Sequence, residues 1–177
     1  MAVQTTINRY PAAAVAGDRA GQEPIVHTPY NCTAEDVTSG STTTHVTVGN
    51  FVWAGTAGGQ VNGATAATAA TDKPLGLVER LFDHFNYELK SDGTMEILDG
   101  QTVTVVVEGD MYAKTATAAT VGQKVFANTT TGAVHPGTAG GTVASCVETM
   151  WFVKSAGAIG DVIIIGTSGQ APEAAGA

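Results

Sequence analysis

ILDGQTVTVVVEGDMYAKTATAATVGQKVFA, residues 97–127, is the stretch that decides the fold. It contains two β-rich runs on either side of the turn sequence GDMYAK, and its valine, isoleucine and phenylalanine side chains are those that a sheet buries. Glycine and aspartate form the turns, which leaves mainly threonine, alanine and glutamine for the surface. Almost none of these side chains is a candidate for chemistry. The stretch therefore predicts a β-protein whose surface serves for contact.

Strand-like segments continue in both directions, separated by glycine-containing turns roughly every ten residues. The predicted strands cover residues 25–30, 42–53, 102–108, 111–114, 123–128, 132–135, 142–153 and 161–165. Such spacing is typical of a sandwich or barrel rather than of βαβ units. The expected fold is therefore all-β: an antiparallel β-sandwich, jelly-roll-like, or a small barrel, with an extended N-terminal arm.

Three further segments carry mixed signals. Residues 54–73 are almost entirely glycine, alanine and threonine and predict a long loop, with an alanine-rich helix over 64–70 as the alternative. In PLGLVERLFDHF, residues 74–85, helix and strand spacing compete, and the glycine in the third position favours a strand. Residues 87–98 predict a hairpin, because an Asp-Gly pair supplies the positive φ that tight turns require.

The charge balance restricts the class of partner. Eight Lys and Arg stand against 16 Asp and Glu, a formal net charge of −8, so most of the surface repels nucleic-acid phosphates and packing against DNA is not expected. Only 14% of the residues are charged, against roughly 25% in ordinary globular chains. Both a soluble Thr-rich β-domain and a chain held in permanent protein contacts would explain this low charge.

Neither export nor membrane spanning is predicted. The first residues, MAVQTTINRY, lack a basic region followed by an apolar core, and no stretch of about 18 apolar residues occurs. Cys32 and Cys146 lie far apart without CxxC spacing and are expected to be free, buried thiols.

No motif predicts catalysis, a cofactor or a metal. The four histidines fall in four different predicted segments without metal-ligand spacing: His27, His45, His84 and His135. A Gly-x-Ser-x-Gly nucleophile elbow is missing from the sequence, and the glycine-rich stretches lack the Lys-Ser/Thr ending of a phosphate loop. We therefore expect no enzyme, no catalytic residue, no cofactor and no metal ligand.

Residues 1–24 differ from the rest of the chain, because they show no sustained apolar period and contain two prolines and the turn GDRAG. A frayed terminus would explain this pattern, but Ile7, Tyr10 and Val15 are apolar side chains of little use to a solvated tail. We predict an arm that docks on a partner through Ile7, Tyr10, Pro11 and Val15. The predicted parts are the arm (1–24), a β body (25–166) and a flexible tail (167–177).

Three stretches, taken in order, resemble the capsid cement or decoration proteins of tailed bacteriophages. They are PAAAVAGDRAG at 11–21, PLGLVER at 74–80, and residues 97–134, which hold a strand-Gly-Asp-x-Tyr-x-Lys unit and a Gly-Gln-x-Val-Phe-Ala strand. The resemblance covers most of the chain, although residues 54–73 do not follow the family pattern. It implies a small β-protein that binds the outside of a phage head and ties neighbouring major capsid protein subunits together, stabilising the shell against internal DNA pressure.

The resemblance also implies the partners and the location. The expected partners are the phage major capsid protein and further copies of this chain, as a homo-oligomer with a dimer favoured over a trimer, with no nucleic acid and no membrane. The expected location is the outer surface of the virion, and the host cytoplasm during assembly. No catalytic residue carries over from the family.

Two other functions remain as alternatives. One is a carbohydrate-binding or adhesion β-sandwich of a phage fibre or tail appendage. Such modules expose aromatic platforms, whereas Trp53 and Trp151 fall in apolar predicted strands. The other is a hydrolase on a β scaffold, for which no acid or histidine stands out.

Overall fold

The computed structural model describes residues 14–21, 24–39, 41–64, 72–81 and 95–169. Over these ranges the protein is made of short β-strands, and no helix occurs there that is long and apolar enough to cross a membrane. The strands are β1 (Val26–His27), β2 (Cys32–Ala34), β3 (Val37–Ser39), β4 (Thr42–Thr44), β5 (Val46–Thr47), β6 (Phe51–Ala54), β7 (Gln60–Asn62), β8 (Gly76–Val78), β9 (Glu96–Ile97), β10 (Thr102–Val103), β11 (Val105–Glu108), β12 (Asp110–Lys114), β13 (Lys124–Asn128), β14 (Val134–Gly137), β15 (Cys146–Val153) and β16 (Val162–Gly166). The predicted all-β class is confirmed.

Two main sheets form a sandwich. One has seven strands in the order β1-β11-β8-β6-β7-β2-β10, and the other has five in the order β12-β16-β15-β13-β14. Within the described residues the pairing is antiparallel except between β2 and β7, and two small pairs, β3–β4 and β5–β9, complete the body. Neither sheet closes on itself in this part of the chain, so the sandwich is formed and not the small barrel.

The main core lies between the two sheets. Buried side chains of the seven-stranded sheet meet those of the five-stranded sheet: Phe51, Trp53, Leu77 and Val106 from the first, and Met111, Val125, Trp151, Ile163 and Ile165 from the second. Because successive side chains of a strand point to opposite faces, Phe51 and Trp53 share this core while Val52 does not. The sequence prediction that Phe51 and Trp53 point to one face is confirmed.

The seven-stranded sheet is buried on its other face as well. Val52, Val78 and Val105 pack there in a second apolar cluster, to which Val46 of β5 and Ile97 of β9 also belong. Strands buried on both faces need apolar residues at every position rather than at alternate ones. This requirement explains the uninterrupted runs Phe-Val-Trp, Gly-Leu-Val and Val-Val-Val in β6, β8 and β11.

The chain crosses from one sheet to the other at Gly109. Strand β11 ends at Glu108 in the seven-stranded sheet, and β12 begins at Asp110 in the five-stranded sheet. Gly109 has φ of 134°, and a Cβ at this position would lie 2.9 Å from Cγ1 of Ile25. The chain turns only at the glycine of GDMYAK, because DMYAK is strand β12. This strand confirms the predicted strand 111–114, whereas the interpretation of the whole motif as a turn is wrong.

Replacing Gly109 by alanine is expected to lower the free energy of unfolding by about 1–3 kcal/mol, because the new Cβ adds a steric contact to an unfavourable φ. Urea denaturation measures the loss. Gly100 is a matched control, since its φ is also positive at 79° but a Cβ there would meet nothing within 4 Å. Equal losses for Gly109→Ala and Gly100→Ala would contradict the steric argument.

Several predicted boundaries change for local reasons. Predicted strand 42–53 is divided into β4, β5 and β6, with a turn at Gly49, where φ is 78°. Predicted strand 142–153 begins only at Cys146, because Ser145 has a φ of 54° and lies in a turn. The alternative helix at 64–70 lies outside the described residues apart from its first position, and so does the predicted Asp92-Gly93 turn.

Candidate functional site

Of the four predicted contact residues, the described part of the chain contains one. Val15 is there with 45% of its surface exposed. Ile7, Tyr10 and Pro11 lie outside the described residues, so their contacts stay predictions. The site is therefore built from Val15 outward.

The segment that carries Val15 is attached to the body through its backbone. The Gly17 N–H donates to the Tyr112 carbonyl at 2.7 Å, the Tyr112 N–H donates to the Asp18 carbonyl at 2.9 Å, and the Ala20 N–H donates to the Asp110 carbonyl at 2.8 Å. Arg19 and Met111 form an antiparallel bridge in the same place. Residues 17–20 thus cover the outer edge of β12, which satisfies the polar backbone groups of an edge strand.

Ion pairs fix the same segment to the end of β8. Glu79, whose side chain is buried, accepts hydrogen bonds from Nε of Arg19 at 2.5 Å and from Nε2 of His27 at 2.8 Å. The hydrogen bond to Glu79 raises the pKa of Arg19 above its ordinary value. On the next residue, Arg80 pairs with Asp18 at 3.1 Å. The buried carboxylate is thereby paired with the Arg19 cation of the N-terminal segment and hydrogen-bonded to His27 of β1.

Removing the Glu79 carboxylate is expected to release the N-terminal segment. Glu79→Ala should lower the free energy of unfolding by about 1–3 kcal/mol, because charged hydrogen bonds are lost and the space is left unfilled. It should also speed trypsin cleavage after Arg19, since local detachment exposes that bond. Glu79→Gln, which keeps the shape and one acceptor, is expected to have a smaller effect. Unchanged cleavage in Glu79→Ala would show that the backbone bonds hold the segment unaided.

A groove lies at the Lys114 end of β12, and we call it the Lys114 groove. It has a volume of about 450 Å³ and is lined by Val15, Ala16, Thr47, Val48, Asn50, Met95, Lys114, Thr115, Ala116, Ala133, Gly160 and Val162. Lys114 is the one charged side chain in this lining. Val162 is 39% exposed, and Ile159, next to Gly160 in the chain, is 72% exposed. The lining thus combines apolar surface with one positive charge, and the exposed Asp161 lies between its residues Gly160 and Val162.

A second groove lies at the opposite end of β12, and we call it the Glu108 groove. It has a volume of about 400 Å³ and is lined by Pro24, Val26, Glu108, Gly109, Met150, Thr167 and Ser168. Val26 and Met150 are 48% and 55% exposed, and Glu108 is the one charged side chain of the lining. Both grooves therefore have apolar side chains beside one charged lining residue, and two lysines also contact the Glu108 groove: Nζ of Lys124 lies 3.2 Å from the Met150 carbonyl oxygen and Nζ of Lys154 lies 3.5 Å from Oγ of Ser168.

Sequence reasoning predicted an arm, most of which lies outside the described residues, and it missed the grooves. Met150 stands between buried Thr149 and Trp151, at an outward position of β15. A single outward apolar side chain is ordinary on a protein surface, and only a patch of several indicates a contact surface. The sequence could not show such a patch here, because the groove joins residues from separate strands.

The remaining titratable groups form no metal site in the described ranges, although Nδ1 of His45 lies 2.9 Å from Oδ1 of Asp36. No cluster of three or more His, Cys, Asp or Glu side chains able to hold a metal ion occurs in residues 14–21, 24–39, 41–64, 72–81 or 95–169. Cys32 is buried and Cys146 half-buried, and both are free, as predicted. Burial raises the pKa of the Cys146 thiol, which lowers its reactivity.

His135 gives the fold a pH dependence. Burial lowers the pKa of this side chain on β14 below its ordinary value. The unfolded chain therefore binds more protons below about pH 6.5, so the stability that neutral His135 permits is present above that pH and is lost as pH falls through it toward the lowered pKa. We expect the melting temperature to fall less between about pH 7 and pH 5 in His135→Gln than in the parent. Equal falls would contradict this assignment.

With the geometry described, the chain can be compared with known proteins. A family profile, the XM1 gp53 minor capsid protein, matches residues 3–167. The chain belongs to this family. The matched region includes both main sheets, the Lys114 groove, the Glu108 groove except Ser168, and most of the predicted arm. No curated protein matches the sequence.

A solved structure carries the same fold. A chain of the capsid of Myoviridae phage XM1 superposes with a TM-score of 0.61 at 15% sequence identity, covering 94% of this chain and 98% of that chain. At this identity the likeness establishes the fold. Membership of the XM1 gp53 minor capsid protein family makes the chain a structural, capsid-associated protein of a bacteriophage virion. The expectation of a phage capsid protein is confirmed at this level.

Proposed function

We propose that this protein is a capsid cement protein, which binds the outside of the phage head and ties neighbouring major capsid protein subunits together. The observation that carries the proposal is the pair of exposed apolar grooves at the two ends of β12, in a member of a minor capsid protein family. A protein with two separate contact sites can bridge two neighbours. The arm residues Ile7, Tyr10 and Pro11, together with Val15, extend the contact at the Lys114 groove.

Contact sites of modest area are sufficient for a protein that binds a repeated lattice. A specific contact needs about 800 Å² on each partner, and a homo-oligomer that engages several shell subunits gains affinity through effective concentration. Binding only to the closed shell then stabilises it: at a free concentration of about 100 times Kd the gain is about 2.7 kcal/mol per site. Repeated over a shell, this resists the pressure of packaged DNA. We propose a dimer that forms in the host cytoplasm and then joins the head.

An adhesion module gains no support from the two tryptophans, although the aromatic side chain of Tyr30 is exposed. A glycan site commonly uses tryptophan as an exposed platform. Trp53 and Trp151 are both buried in the main core. A glycan array without hits would agree with the cement role, whereas a specific glycan hit would favour the alternative.

Binding to heads tests the proposal directly. Purified protein should co-sediment with heads that lack it, and negative-stain images should show added surface density. Val15→Asp and Val162→Asp should reduce occupancy at least about tenfold, because an unpaired charge is placed in an apolar contact. Val121→Asp is the matched control, since Val121 is exposed but lines neither groove. Failure of the parent protein to bind heads would overturn the cement role, and full binding by both groove variants would overturn the site.

Truncation tests the arm. Deleting residues 1–13 should abolish head binding while the β body stays folded, because the segment from Ala14 onward keeps its bonds to β12 and β8. Deleting residues 1–20 is a poorer experiment, since it also uncovers the edge of β12 and unpairs the Glu79 carboxylate. Circular dichroism checks the fold and co-sedimentation checks binding. Normal decoration by the 14–177 protein would contradict a role for the arm.

A further inference from the structure

We infer that Ile159 is the anchor of the capsid contact, and that its side chain inserts into an apolar pocket of the major capsid protein subunit that meets the Lys114 groove. The inference rests on the proposed function and deepens it, because it names the residue that contributes most to binding at this site. The observation behind it is an isoleucine that a rigid turn holds in solvent at the rim of the groove.

Ile159 has the most exposed of the large apolar side chains in the described residues, at 72%. It adjoins Gly160, which lines the Lys114 groove, and two further lining residues, Val15 and Val162, are 45% and 39% exposed. A single exposed apolar side chain is ordinary, whereas several together indicate a contact surface. Ile159 is therefore the most exposed member of a group of apolar side chains around this groove.

The turn that carries Ile159 consists of residues 158–161, and we call it the Ile159 turn. Its first and last residues bond to each other twice: the Asp161 N–H donates to the Ala158 carbonyl at 3.1 Å, and the Ala158 N–H donates to Oδ2 of Asp161 at 2.8 Å. Gly160 has φ of 85°, the positive value that the third position of a type II turn requires. The turn is thus closed by its own residues.

The Ile159 turn is also fixed to the body of the protein. The Gly160 N–H donates to the Thr115 carbonyl at 2.8 Å, and the Thr115 N–H donates to the Asp161 carbonyl at 3.0 Å. Gly157, the residue before the turn, exchanges two backbone hydrogen bonds with Ala119, at 2.8 and 3.1 Å. Because the backbone is already ordered, a partner that covers the isoleucine loses little affinity to ordering of the turn.

A second turn, residues 120–123, has the same construction in a different setting, and we call it the Val121 turn. The Gln123 N–H donates to the Thr120 carbonyl at 3.2 Å, the Thr120 N–H donates to Oε1 of Gln123 at 2.8 Å, and Gly122 has φ of 91°. Val121 is 60% exposed but lines neither groove. Its turn leads into β13, which lies two strands, about 10 Å, beyond β16 and farther from β12. Val121 is therefore a matched reference for Ile159.

A capsid subunit is a better occupant than a second copy of this chain. Membership of a minor capsid protein family makes the chain capsid-associated, and a second copy placed over Ile159 would cover the groove that the capsid contact needs. The charges at this site are of both signs, since Lys114 lines the groove and Asp161 is exposed beside it. Apolar shape complementarity, rather than net charge, then selects the partner.

Titration of heads that lack the protein with labelled full-length variants tests the anchor. Ile159→Val and Ile159→Ala are expected to weaken binding about fourfold and at least about tenfold, because one and three carbon atoms lose their apolar burial. The loss in Ile159→Ala should persist at about 1 M salt, which screens charge pairs between exposed groups. Val121→Ala is the matched control and should bind within about twofold of the parent.

Urea denaturation separates binding from folding, and the midpoint of Ile159→Ala should equal that of the parent because the side chain is mostly exposed. A lowered midpoint, parental affinity of Ile159→Ala for heads, or an equal loss in Val121→Ala would overturn the anchor while leaving the cement role intact. Weaker self-association of Ile159→Ala in analytical ultracentrifugation, with unchanged head binding, would identify a second copy as the occupant instead. Failure of the parent to bind heads would overturn the cement role and the anchor with it.

Discussion

Trp151→Ala is expected to lower the free energy of unfolding by about 3–5 kcal/mol, which is a large part of the stability of a domain of this size. Trp151 on β15 is 2% exposed, and its ring meets that of Phe51 on β6 edge to face, with centroids 6.1 Å apart and planes at 76°. The two strands belong to different sheets. The pair therefore fills the main core and joins its two layers, so truncation leaves a cavity that β-strands cannot easily close.

Urea denaturation measures this loss. Circular dichroism of the backbone is the readout, because its signal does not depend on the tryptophan that is removed. Met150→Ala is the control, because Met150 is the preceding residue on the same strand but points outward. Its replacement should change the free energy of unfolding by less than about 0.5 kcal/mol. A Trp151→Ala protein as stable as the parent would mean that the contact between the sheets does not depend on this ring.

Lys154→Met is expected to cost about 2–4 kcal/mol, because it leaves a largely buried carboxylate without its cation. Nζ of Lys154 lies 2.6 Å from Oδ2 of Asp110, and the Asp110 side chain is 10% exposed. Lys154 also lies over the ring of Phe152, with Nζ 5.6 Å from the centroid. Asp110 is the first residue of β12, the strand that follows the crossing between the two sheets. An unpaired charge at Asp110 therefore destabilises the beginning of this strand.

A double variant separates the charge from the packing. Asp110→Asn combined with Lys154→Met removes both charges, and we expect it to be more stable than Lys154→Met alone. Urea midpoints at neutral pH give the comparison. If the double variant is less stable than Lys154→Met by the full cost of Asp110→Asn, the two residues act independently and the buried pair is not what stabilises this corner.

The sequence was sufficient to predict the class of fold and the position of most strands, because alternation and turn residues act locally. Val46 and Val48 are buried as their alternation with His45 and Thr47 indicated. The order of strands within the sheets was beyond such reasoning, since pairing depends on contacts between distant segments. Strand β9 pairs with β5, for example, although the two are separated by roughly fifty residues.

The site was predictable only in part, for a related reason. A segment with apolar residues but no period led to the prediction of an arm, and that arm stays a prediction. The grooves, in contrast, arise where residues from separate strands meet: Val26 comes from β1 and Met150 from β15. Neither side chain is unusual in its own segment. Their significance depends on the crossing at Gly109, which brings the ends of both sheets together beside β12.

The covering of β12 by residues 17–20 has a consequence for synthesis. The first of these residues leaves the ribosome about a hundred residues ahead of the strand that it covers, which corresponds to roughly 5–20 s at ordinary translation rates. Until β12 has been synthesised, residues 17–20 have no strand to pair with. Their docking must therefore be a late event in the maturation of each newly made chain, because residues 17–20 attach only when β12 completes the sandwich.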